Sequence, residues 1–150
     1  MDAVTYPNAK ASKFLMENFV PLRIPYDEQP YMDSFKVRWT PRLFIMDPEG
    51  STHHDALGFL PPDEIVPFLK LGQAKIAFNA NRLDAAVDIL EDLLKESAAS
   101  GSAPEAVYLN GVSHFKKTHD AVALKKVYLR LKFDYPHSSW TPRAYPYWHF

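Results

Sequence analysis

Residues 37–50 read VRWTPRLFIMDPEG, and this stretch constrains the fold more than any other. An apolar run over 43–46 is headed by Pro41 and closed by the tetrapeptide 47–50. Proline cannot donate to a sheet ladder, so it sits at strand starts, edges or bulges. The pattern predicts a strand over 42–47 that starts just after Pro41 and is buried on both faces, as continuous apolar strands usually are. DPEG has Asp first, Pro second and Gly fourth, the signature of a type I turn. STHHDALGF (51–59) then returns as a shorter, more polar strand, so the economical expectation is a hairpin.

Upstream, Ala11, Phe14, Leu15 and Phe19 fall on one helical face over 8–19, with Asn8 as N-cap after Pro7. Val20, Leu22 and Ile24 alternate, which predicts a short strand over 20–26. Pro21 and Pro25 confine it to an edge. Residues 28–37 read as a brief helix or turn. Downstream, PPDEIVPFLK (61–70) opens a helix whose Asp63 and Glu64 suit the positive end of the helix dipole.

From Leu71 onward the pattern is only helical. Leu83, Val87, Leu90 and Leu94 form a stripe with Ala86 and Leu93 beside it. SAASGSA (97–103) reads as a flexible loop. Tyr108, Val112 and Phe115 mark a face on 104–117. Leu124, Val127, Tyr128 and Leu131 mark another on 120–136, which stops at Pro136. A partial repeat links these helices. Ala74, Ala86 and Leu90 recur as Gly111, Ala123 and Val127, each 37 residues further on. Small residues at matched places let antiparallel helices approach closely, as in the tetratricopeptide pattern. The aromatic tail WTPRAYPYWHF (140–150) is expected to cover apolar surface on these helices.

The first part, through VTYPNAKASKFLMENFVPLRI (4–24), WTP (39–41), LFIMDPEG (43–50) and GFLPPDEIVPFL (58–69), resembles the thioredoxin-like superfamily from the middle of its first helix onward. The resemblance implies a cis peptide bond before Pro41 and a loop whose backbone pairs with an extended substrate segment. It thereby implies Trp39, Thr40 and Pro41 as substrate-binding residues. The family's Cys-x-x-Cys motif and the strand before it lie upstream of where this sequence begins, so the expectation is an N-terminally truncated version. The fold class expected is α/β: an incomplete thioredoxin-like domain over 1–70, then an all-α helical-hairpin, tetratricopeptide-like region over 71–150. The parent would be a thiol–disulfide oxidoreductase acting on a protein or peptide substrate.

Other chemistry is narrowed by composition. With no cysteine, the sequence has no disulfide, thiolate nucleophile or cysteine zinc ligand, so no catalytic residue is assigned. A net charge of −1 offers no basic field for nucleic acid, and no run reaches the roughly 20 apolar residues of a membrane helix. No cofactor is expected, and with no signal peptide visible the expected compartment is the cytoplasm. His53 and His54 are adjacent on a strand, so they point to opposite faces of a solvated hairpin and cannot share a metal. His114, His119, His137 and His149 have no ligand spacing. Asp63–Glu64 and Glu91–Asp92 read as solvent-facing charges, and no Gly-x-Ser-x-Gly or phosphate-cradling glycine loop occurs. The alternative function is a redox-inactive module that holds peptides with the Trp39 loop and the helical groove. A third possibility is a helical scaffold that the first part merely supports.

Overall fold

A computed structural model describes all residues, Met1–Phe150. The chain is mixed α/β, with seven α-helices, one 3-10 helix and a single two-stranded antiparallel sheet. It divides into two units, Met1–Leu69 and Lys70–Phe150. The division falls inside one helix, α3 (Pro62–Asn79), which opens where the sequence pattern starts one and runs on past the expected boundary at residue 70.

In the first unit, α1 (Ala9–Asn18) starts at Asn8, whose side chain accepts the Ala11 N–H at 3.1 Å. This satisfies one of the donors a helix start leaves open. Ala11 is the helix's buried residue, and Phe14 and Leu15 are half-buried. The segment before α1 is tied down by Thr5, whose buried hydroxyl donates to the Leu60 carbonyl at 2.5 Å.

The strand expected over 20–26 does not form. Pro21 and Pro25 remove two N–H donors, and no strand lies beside the segment to supply a ladder. Val20 and Leu22 accordingly stand 97% and 82% exposed. The brief helix α2 (Gln29–Ser34) follows, with Pro30 in its first turn, where a missing N–H costs nothing.

β1 (Arg42–Met46) and β2 (Thr52–Leu57) form the hairpin, and the Gly50 N–H donates to the Asp47 carbonyl at 3.0 Å across its turn. Gly50 takes φ +84°, a conformation glycine adopts without a Cβ penalty. Burial on both faces of β1 is not observed: only Ile45 is fully buried. Leu43, Phe44 and Met46 are half-buried, with the Phe44 ring against Phe35, so both faces are covered only in part. The register shifts between Ile45 and Met46, so His53 is the extra residue of a bulge.

The second unit is built from the rest of α3, α4 (Leu83–Glu96), α5 (Ala103–Thr118), α6 (Val122–Asp134), α7 (Trp140–Ala144) and the 3-10 turn Tyr145–His149. Its core gathers Leu71, Ala74, Leu90, Leu93, Leu94, Val107, Val127 and Leu131. The α4 stripe read from the sequence is the buried one, Leu83 remaining half-buried. On α5 the outcome differs. Its buried side is Ala103, Ala106, Val107, Gly111 and Ser113, whereas Tyr108, Val112 and Phe115 are half-buried. Size was mistaken for depth: small side chains sit where two helices meet, and large rings cover the flank. The 97–102 connection is closed by turns, Ser100 N–H to Ser97 carbonyl at 3.0 Å among them, with Ser100 and Ser102 buried.

Buried Lys70 pairs with Asp92 and, at 2.9 Å, with Glu96. Burial alone would lower the lysine's pKa, but those two carboxylates outweigh it and raise it. Asp92 therefore anchors a buried cation and is not merely a solvent-facing charge.

Trp140 and Tyr147 of the tail pack on the helical core as expected, whereas Tyr145, Trp148 and Phe150 stay exposed. Trp140 lies 5.0 Å and Tyr147 5.6 Å from the Tyr108 ring, and the Tyr108 and Tyr147 hydroxyls hydrogen-bond at 2.6 Å. Burial, then this hydrogen bond, pushes the Tyr147 phenol well above its ordinary range. Tyr135 and Lys70 are raised as well. A group whose folded pKa lies above its unfolded value contributes stability below the unfolded value and loses it as pH rises. The ordinary values are 10.0 for tyrosine and 10.5 for lysine, so the loss begins near pH 10. Thermal melts followed by circular dichroism should show the transition falling above that pH, and falling less steeply in Tyr147→Phe. Equal steepness in the two chains would rule out the phenol as a source of the loss.

Candidate functional site

The loop that carries Trp39, Thr40 and Pro41 is held at both ends. At its start, Lys36 takes φ +51° and the Val37 N–H donates to the Met32 carbonyl at 2.8 Å, turning the chain back along α2. Phe35 anchors that turn on β1, its ring 5.3 Å from Phe44. At the other end, the Pro41 carbonyl accepts the Gly58 N–H at 2.9 Å, one residue beyond the Arg42–Leu57 pairing. Gly58 has φ +98°, which favours glycine at this position. Arg42 and Asp55 form an ion pair across the strands. The Thr40–Pro41 peptide bond is cis, the isomer implied by the sequence resemblance.

Between these ties the loop projects. Trp39 is 73% exposed, and Thr40 and Pro41 are exposed too. A hollow of about 230 Å³ opens beside it, lined by Tyr26, Met32, Arg38, Trp39 and Thr40. Pro41 is not part of that wall. Sequence reasoning missed Tyr26, Met32 and Arg38. Tyr26 follows Pro25 at the end of a segment read as a strand, and nothing local shows that it returns to Trp39. The available signal was composition: Tyr26, Tyr31 and Trp39 are large rings among prolines and charges.

A second hollow, about 350 Å³, lies between α5 and α6. Asn110, Gly111, His114, Ala123, Lys126 and Arg130 are on its wall. His114 stands 3.8 Å from Glu91, and Arg130 is 3.5 Å from Asp134 on its own helix.

The hairpin histidines are not solvated as expected. His53 Nε2 is 2.7 Å from Asp47 Oδ2, with its side chain only 12% exposed. This contact, and then the Ser51 N–H, hold the Asp47 carboxyl below its usual value. The His54 ring packs at 4.4 Å from Phe68. No group of three or more His, Asp or Glu side chains is placed to hold a metal ion. No helix is long and apolar enough to cross a membrane. Comparison with protein-family models, with curated proteins and with solved structures finds no match to this chain.

Proposed function

We propose that this chain is a thioredoxin-like domain joined to a tetratricopeptide-like helical region, and that its Trp39, Thr40 and Pro41 loop receives an extended segment of a protein or peptide. The chain then serves as the substrate platform of a thiol–disulfide oxidoreductase in the cytoplasm. The sulfur chemistry belongs to cysteines that this sequence does not contain, so by itself the chain is redox-inactive. Neither nucleic acid nor membrane is part of this assignment.

One observation carries the proposal: an exposed tryptophan and an exposed tyrosine wall a hollow directly beside the proline that opens β1. Rings left in water gain most when a ligand covers them, and buried aromatic anchors dominate peptide interfaces. β1 also has one edge with no ladder partner, where an extended segment could add its backbone hydrogen bonds. The second reading is a non-catalytic binding module. It is favoured by the hollow on the helical unit, a further concave surface with polar donors.

Fluorescence anisotropy of a labelled, unfolded, cysteine-free peptide tests the assignment. Trp39→Ala should weaken binding about tenfold or more, roughly 1.4 kcal/mol, as expected for an aromatic anchor. Unchanged affinity in Trp39→Ala, with loss in Lys126→Glu, would move the site to the helical groove. Insulin disulfides should stay intact in the presence of the chain, and turnover would contradict the redox-inactive assignment.

A further inference from the structure

We infer that the hollow beside Trp39 selects extended peptides in which a carboxylate side chain lies next to an apolar or aromatic one, with Arg38 as its receptor. This deepens the function proposed above and rests on it.

The inference starts from the wall of the hollow. Tyr26, Met32, Arg38, Trp39 and Thr40 line it, a set with one cationic residue and no acidic one. Arginine presents its donors in a planar fork that matches a carboxylate's two oxygens. Elsewhere in this unit the arginines are paired within the chain. Arg23 meets Asp2 at 2.9 Å, and Arg42 meets Asp55 across the hairpin. Arg38 is exposed and takes part in none of the chain's ion pairs. Its guanidinium is thus available to a ligand lying on Tyr26 and Trp39.

The surrounding charge agrees locally. Lys36, Arg38 and Arg42 fall within residues 36–42, a span that contains no acidic residue. The unit as a whole has more carboxylates than cations, which would repel an acidic peptide at long range. Screening limits both to short range. At about 0.15 M ionic strength charges act over about 8 Å. Asp27, Glu28 and Asp33 adjoin the wall residues Tyr26 and Met32 in sequence, so a ligand carboxylate is favoured only where it lies directly on Arg38. Apolar contact with the rings gives affinity, and the carboxylate sets register and choice of sequence. A lysine-flanked peptide would place like charge against Arg38 and be rejected.

Three short labelled peptides, identical except that a central Phe is flanked by Glu, Gln or Lys, should be titrated into the full chain. The Glu peptide should bind about 1.5- to fivefold tighter than the Gln peptide at low salt, the range for one exposed ion pair. That margin should shrink as salt rises, and the Lys peptide should bind weakest. Arg38→Gln should bring the Glu and Gln peptides to equal affinity, whereas Arg38→Lys should keep part of the preference. Equal binding of the Glu and Gln peptides, with sensitivity to Trp39→Ala intact, would overturn the carboxylate preference and spare the peptide platform. A preference that survives Arg38→Gln would overturn the role of Arg38. Failure of all three peptides to bind would overturn both.

Discussion

Leu90→Ala is expected to destabilise the helical unit by about 2–5 kcal/mol, the range for truncating a fully buried leucine. Leu90 is 0% exposed and sits among Leu71, Ala74, Leu93, Val107, Val127 and Leu131. The cost has two parts. The lost methyl and methylene groups forfeit transfer energy, and the space they leave is closed only in part. Helices on several sides limit that closure, which places the site toward the upper half of the range. A domain of this size has a total stability of roughly 5–15 kcal/mol, so the variant should lose much of its cooperative transition. Urea unfolding followed by ellipticity at 222 nm reads the change directly. Phe133→Ala supplies the contrast on α6. Its ring is 75% exposed, so despite a larger truncation the change should stay within about 0.5 kcal/mol. Similar losses in the two variants would mean that Leu90 is not a core residue.

Leu90 was legible in the sequence because α4 is amphipathic in the plainest way, with leucines and valine at helical spacing and acids between them. The same is true of the turn at 47–50 and of Asn8, where local chemistry decides local structure. Segment 20–26 was misread because alternation records what a strand would bury, not whether a partner strand is present. The run 43–46 is only partly buried for a related reason: an apolar run shows what a strand could bury, not how fully other elements cover its two faces. On α5 the large rings suggested the wrong face, since depth there is set by the approach of α6. At the candidate site, Trp39, Thr40 and Pro41 came from the resemblance, while Tyr26, Met32 and Arg38 come from how the chain turns around α2. The buried Lys70 escaped notice because its partners are more than 20 residues away, on another helix.

Gly111→Ala is the substitution that would most directly test the close approach of α5 and α6. Helix propensity alone favours it, since alanine is better than glycine by about 1 kcal/mol in a helix interior. The neighbouring helix opposes it. A Cβ on residue 111 would lie 1.9 Å from Val127 Cγ2 and 3.4 Å from the Ala123 carbonyl oxygen. Val127 is buried and β-branched, so it can yield only by leaving its rotamer or by parting the helices. Overpacking of this kind costs about 1–3 kcal/mol, and the net expectation is a loss of about 0–2 kcal/mol. The 37-residue repeat supplies an internal comparison, because Ala74 and Leu90 occupy the places of Gly111 and Val127 and are both fully buried. A helix pair of this kind can therefore carry a Cβ there when its spacing is set for one. Removing the obstacle should reverse the effect. In Gly111→Ala/Val127→Ala the new methyl occupies part of the space that the valine vacates. The double variant should then be more stable than the sum of the single losses by about 1–3 kcal/mol, the coupling expected of residues in contact. Strict additivity in denaturant titrations would show that the two positions do not touch, and the close helix crossing at Gly111 would have to be abandoned.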